Sequence, residues 1–203
     1  MEERHEKFYP GQFYHIFNRG NNSEKIFFKE ENYKYFLKKF DHYLSPYVFV
    51  YAYCLLPNHF HFLVKIKSRE QIPSFGKMES AEINKIISQQ FRSFFISYSM
   101  SINKQQNRTG SLFQKNFKRI LINDQGYLTH VIYYIHHNPL HHKVCKRMDE
   151  YKWSSFAKIL ENKKSKLRKK DVIEIFGSVA SYLDYHKSED LFFEEYESYI
   201  IEQ

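Results

Sequence analysis

Residues 47–66 constrain the chain most. Residues 47–56 (YVFVYAYCLL) and 59–66 (HFHFLVKI) are runs of aromatic and β-branched residues, separated only by Pro57 and Asn58. Two such runs across a short turn predict an antiparallel hairpin. Strand alternation then puts His59 and His61 on one face and Phe60, Phe62, Val64 and Ile66 on the other. The expectation is that the apolar face packs on helices and the histidine face stays free. The two histidine backbones sit roughly 6.7 Å apart at ~3.3 Å per residue, so both imidazoles can reach one cation. Taken alone, the pair reads more readily as two polar side chains on a solvated strand face than as metal ligands. Imidazole suits Zn, Cu, Fe and Ni, and Mg²⁺ prefers oxygen, so ligand chemistry does not itself select Mg²⁺.

The flanking segments supply the rest of a sheet. Residues 13–18 (FYHIFN) predict a first strand, stopped by the turn Arg19-Gly20-Asn21-Asn22. Residues 31–44 carry Tyr33, Phe36, Leu37, Phe40 and Leu44 in steps of three and four, a helix ended by Ser45-Pro46. Residues 67–78 read as a polar loop and 79–106 as a long amphipathic helix. Residues 111–122 read as a fourth strand. Asp124 is placed to cap a helix over 125–138, which Pro139 is expected to stop. The order β-α-β-β-α-β, then helix, predicts an α+β, ferredoxin-like sandwich: an antiparallel sheet with helices on one face. A unit at 1–160 would carry the chemistry. Residues 161–203 would add a basic linker (KKSKLRKK at 163–170) and a small helical C-terminal extension.

Net charge is +8 with a pI near 9.2, which favours polyanions through counterion release. Lys115, Lys118 and Arg119 interleave with Phe113 and Phe117, Arg19 lies in the first turn and Arg108 precedes the fourth strand. These are candidate phosphate contacts, with aromatic faces for stacking among the 17 Tyr and 20 Phe. No apolar run reaches ~18 residues, so no membrane span is expected. The start of the chain lacks a signal-peptide core. Two cysteines, Cys54 and Cys145, make no disulfide framework, and a reducing cytoplasm is the expected setting.

Three segments together, LLPNHFHFLV at 55–64, TGSLFQKNFK at 109–118 and YYIHHNP at 133–139, resemble the single-tyrosine HUH transposases: insertion-sequence transposases and the REP-associated tyrosine transposases. The likeness runs over residues 9–160. It implies a DNA transposase that binds single-stranded or hairpin DNA as monomer or homodimer. It implies a divalent metal, Mg²⁺ or Mn²⁺, held by His59 and His61. Cleavage and rejoining would pass through a 5′-phosphotyrosine. In insertion-sequence members a helix tyrosine is followed four residues later by a glutamine that completes the metal site. Tyr134 and Asn138 match that spacing, with Asn in place of Gln, and His137 is the alternative third ligand. On the helix, Tyr127, Leu128, Val131, Ile132 and Ile135 form the buried stripe, Tyr134 lies at its edge and Tyr133 points away. In many REP-associated members the tyrosine follows the segment that reads LFQ here at 112–114. This chain has Phe117 at that place, which cannot attack a phosphate. On that placement the protein is a catalytically silent hairpin binder. An RNA-binding domain of the RRM kind ranks last, since no Lys/Arg-Gly-Phe pattern is present.

Overall fold

The computed structural model describes residues 6–72 and 80–187. The acidic start at 1–5, part of the expected loop at 73–78 and the end of the tail lie outside them. Alternation in four segments builds β1 (Phe13–Arg19), β2 (Val48–Leu56), β3 (His59–Ile66) and β4 (Lys118–Ile122). They pair antiparallel in the order β2-β3-β1-β4.

One face of the sheet is apolar and aromatic. Tyr14, Ile16, Tyr53, Leu55, Phe60 and Phe62 pack there against α1 (Glu30–Leu44) and α2 (Ser80–Gln105). Phe36, fully buried, meets Phe27, Phe94 and Tyr98 edge-on at 4.8 to 5.1 Å; its truncation to Ala would cost about 3–5 kcal/mol. Asn32 in the first turn of α1 accepts from the Phe28 and Lys29 amides and donates to Gln105 at 2.9 Å. That single side chain caps α1 and ties it to the end of α2.

The other face is covered too, which corrects the expectation of helices on one face. Ala52, Cys54, Leu56, Leu63 and Ile122 pack beneath α3 (Gln125–His141), α4 (Phe156–Leu160), α5 (Lys169–Phe176) and α6 (Val179–Lys187). The physical reason lies in α3, whose Leu128, Val131, Ile132, Tyr134 and Ile135 form a broad apolar stripe buried against this sheet face. Tyr133, expected to point outward, is 4% exposed because α6 lies over it, with Tyr185 at 5.8 Å and His186 at 5.7 Å. A bulge between Val50 and Ala52 turns Tyr51 and Ala52 to this same side.

Two boundaries differ from expectation. The fourth strand begins at Lys118, not at 111. Asn116 has φ of 66°, a left-handed conformation incompatible with a continuous ladder. Helix α3 runs through Pro139 to His141. Proline removes only its own amide, and the last turn is closed by the His142 amide on the Asn138 carbonyl and the Val144 amide on the Pro139 carbonyl. Asp124 caps α3 by accepting from the Tyr127 amide at 2.7 Å.

The basic run at 163–170 is anchored at the sheet edge. The Arg168 amide bonds the Val50 carbonyl at 2.9 Å, and Lys166 pairs with Asp41 at 2.6 Å. Beyond it, a buried chain of polar groups fixes α6 to α3. The Tyr53 amide donates to Ser155 Oγ at 2.8 Å. The Ser155 hydroxyl meets His136 Nε2 at 2.7 Å, and His136 Nδ1 meets His186 Nε2 at 2.9 Å. His186 Nδ1 donates to the Tyr182 carbonyl at 2.7 Å. A carbonyl can only accept, so His186 carries a proton on Nδ1, and burial favours the neutral ring with Nε2 as acceptor. His136 then donates from Nδ1 and accepts the Ser155 proton at Nε2. Every position is satisfied by uncharged rings. Burial holds His136 well below the ordinary imidazole range and His186 at about 4.

Candidate functional site

The register of β1, β3 and β4 assembles the site on the face beneath α3. His61 lies opposite Phe17 and Cys54, and His59 lies opposite Arg19 and Leu56. Phe17 is in turn opposite Lys118 of β4. Cross-strand partners have Cβ atoms about 5 Å apart, so Arg19 stands directly beside His59. The two imidazoles leave the same side of β3, their ring centres 5.3 Å apart and their planes nearly perpendicular.

Neighbouring polar groups orient both rings. His59 Nδ1 is 2.7 Å from Asn58 Oδ1, and Asn58 Nδ2 donates to the Ser23 carbonyl at 3.3 Å. The second bond fixes which end of the amide faces His59. Nδ1 therefore carries the proton, and Nε2 of His59 carries the lone pair. His61 Nδ1 is 3.0 Å from His15 Nε2. His15 was not singled out in the sequence. Its signal is parity, because His15, Phe17 and Arg19 share one face of β1, next to β3.

Tyr134 reaches this cluster from α3. Its ring is edge-on to His61 at 5.4 Å and to His15 at 5.9 Å. His142, just past the end of α3, places its ring 4.6 Å from His59. Asn138, one turn before His142, donates from Nδ2 to the Tyr134 carbonyl at 2.8 Å. Its Oδ1 is buried and receives no hydrogen bond among the described residues. His137 instead stacks on Tyr133 at 5.2 Å, on the side of α3 that faces α6.

The site is enclosed. His59, His61 and Tyr134 are 2%, 0% and 7% exposed, a correction to the expected open histidine face. A cavity of about 20 Å³, bounded by Phe17, Arg19, His59, His61, Gln114 and Lys118, remains beside the imidazoles. That volume holds about one water or bare ion. Among the described residues, no group of three or more His, Cys, Asp and Glu side chains is placed to hold a metal ion. Two imidazoles line the cavity, and Asn138 on α3 carries an amide oxygen that receives no donor among the described residues. Such a set fits a cation that keeps open positions for substrate oxygens.

The expected phosphate contacts divide. Arg19 and Lys118 line the histidine cavity. Lys115 and Arg119 border a separate groove on the α2 side, where Arg119 lies over Phe8 at 4.3 Å and donates to Ser88. Arg108 is held by Glu24 at 2.6 Å. Phe117 packs on Phe91 and Phe95 at 5.0 and 5.2 Å, on the opposite sheet face from His59 and His61.

No family model and no curated protein matches the chain. Among solved structures, a REP-associated tyrosine transposase bound to a REP hairpin is similar in fold. Its TM-score is 0.55 at 17% identity, covering 79% of this chain and 85% of that one. The α+β architecture is thus shared with that protein.

Proposed function

We propose that this protein binds hairpin or single-stranded DNA and cleaves and rejoins one strand, with Tyr134 as nucleophile and His59 and His61 as ligands of a divalent cation, Mg²⁺ or Mn²⁺. The observation that carries the reading is the meeting of the only HFH pair with a tyrosine ring 5.4 Å from His61, within one chain. The fold of a protein solved with a REP hairpin supports the same substrate class.

In this reading the Tyr134 oxygen bonds to phosphorus as the phosphorus–O3′ bond breaks. The phenol loses a proton and the 3′ oxygen gains one, leaving a 5′-phosphotyrosine and a free 3′-hydroxyl. Bond energy is retained, so rejoining needs no ATP. A bound divalent ion would offset charge on the phosphate oxygens. His59, held by Asn58, and His61, held by His15, would supply its nitrogen ligands, and Asn138 Oδ1 the third. Arg19 and Lys118 would meet the phosphate as it enters. Tyr134 and His61 come from the same chain, so the reading needs no second copy.

A second reading has its own observations. The buried histidines, with room beside them for about one water, and Phe117 at the alternative tyrosine position, favour a hairpin binder that does no chemistry. One experiment separates the two. The protein is incubated with an end-labelled DNA hairpin and Mn²⁺ and run on a denaturing gel. A protease-sensitive shifted band, lost in His59→Ala and in Tyr134→Phe, is the expected result. A native-gel complex with no covalent band under any divalent metal would leave only the binder.

A further inference from the structure

A further cavity, of about 250 Å³, lies at the β2 edge of the sheet, on the face opposite the histidines. The bulge in β2 makes room for it. Tyr51 and Ala52 both turn to the α3 side, so no side chain between Val50 and Tyr53 packs on this face. Helix α1 contributes Leu37 and Phe40 to the walls, and Phe62 of β3 stacks on Phe40 at 4.2 Å. Residues 165–167 also line it, held there by the bridge between Leu167 and Val50. Among the polar lining groups, Asp41 and Lys166 neutralise each other at 2.6 Å, and Ser165 accepts from the Leu167 amide. Lys158 and Tyr53 keep donors to spare. Lys158, half-buried on α4, donates from Nζ to the Tyr53 hydroxyl. The phenol proton therefore points elsewhere, and it meets no acceptor among the described residues. Lys158 pairs with no carboxylate among them either. Glu161 acts on it only as a distant charge and pairs with Lys163 at 3.6 Å.

Unused donors in an otherwise apolar cavity call for a ligand with an oxygen acceptor at one end and hydrocarbon at the other. A single ammonium without a counter-charge matches a carboxylate, and the phenol supplies a second donor to the same group. An apolar cavity of about 150 Å³ holds benzene, so this one holds about ten non-hydrogen atoms. We propose that the cavity binds a small apolar monocarboxylate, its carboxylate held by Lys158 and Tyr53 and its hydrocarbon part against Phe40, Phe62 and Val50. The site stands apart from His59 and His61, on the other face of the sheet, and does not depend on the DNA-processing reading.

The test is titration calorimetry of the full chain with phenylpropanoate, phenylacetate and hexanoate, without DNA and at fixed salt. Phenylpropanamide serves as the uncharged counterpart, and acetate as the head without the body. At least one of the three carboxylates should bind saturably, with a dissociation constant of about 1 mM or tighter. The amide should bind about tenfold more weakly than phenylpropanoate, and acetate should give no saturable heat. Lys158→Met keeps the length of the side chain and removes its charge. It should weaken the carboxylates about tenfold and leave the amide unchanged. Tyr53→Phe should weaken them about threefold to tenfold, and it carries the test if Lys158→Met fails to fold by circular dichroism. Saturable binding by none of the three carboxylates overturns the proposal. So does an amide that binds as well as the acid, or carboxylate affinity that survives in both variants. A Lys158→Met protein that loses acid and amide equally also overturns it, because the side chain would then serve only the shape of the cavity.

Discussion

Lowering the pH should destabilise the protein through the imidazole chain that ties α6 to α3. His186 is held at about 4, against an ordinary value of 6.5, chiefly by burial. The hydrogen bonds give the structural reason: Nδ1 already donates to Tyr182 and Nε2 already accepts from His136, so no acceptor remains for an added proton. The folded value lies below the unfolded one. Above the ordinary imidazole range neither state binds this proton and stability is complete. As the pH falls through that range the unfolded chain protonates first. The native state then loses about 1.4 kcal/mol per pH unit. The loss from this one group is about 2 kcal/mol near pH 5 and about 3 kcal/mol near pH 4. His136, held low by burial, and His130, held at about 4 by burial, act in the same direction. Urea unfolding followed by Trp153, the single tryptophan, stacked at 4.5 Å on Tyr33, gives the free energy at each pH. His186→Phe should be less stable at neutral pH and should show a shallower loss on acidification. A stability that changes by less than about 0.5 kcal/mol between neutral pH and pH 5 would refute the reasoning.

Two further outcomes follow from single side chains. A Cβ on Gly20 would stand 2.0 Å from the Glu24 carbonyl oxygen, a backbone atom that cannot swing aside. Gly20→Ala should therefore cost more than about 2 kcal/mol in urea unfolding, and a smaller loss would mean that the turn beside Arg19 is pliable. Asn58→Ala removes the amide oxygen that meets His59 Nδ1 at 2.7 Å. Mn²⁺ affinity by titration calorimetry should fall about 10- to 100-fold, while equal affinity in both proteins would show that this amide does not orient the ligand.

Much of the fold was legible because it is written in local periodicity. The β3 segment at 59–66 and the helices near 30–44 and 80–105 carry alternation or three-and-four spacing strong enough to locate them within a residue or so. The His59–His61 pairing on one face followed from the same alternation. What stayed hidden depends on tertiary packing. Alternation separates two faces of a strand but cannot tell whether a later helix covers the polar one, and α3, with its broad apolar stripe, does. His15 was missed because its role comes from β1 lying beside β3, a register that no local pattern states. The shortened β4 reflects one left-handed residue, Asn116, whose backbone was unreadable in a run of otherwise strand-like side chains. Tyr133 and Tyr134, adjacent in sequence, part company only because α6 takes one and β3 the other.

The most direct measurement is mass spectrometry of the protein after reaction with hairpin DNA and Mn²⁺, with nuclease and protease digestion to map where a nucleotide remains attached. A phosphotyrosine-linked nucleotide on Tyr134, absent when His61 is replaced by Ala, is the expected result. Attachment at another tyrosine, or an unmodified Tyr134 peptide from DNA-saturated protein, would contradict it.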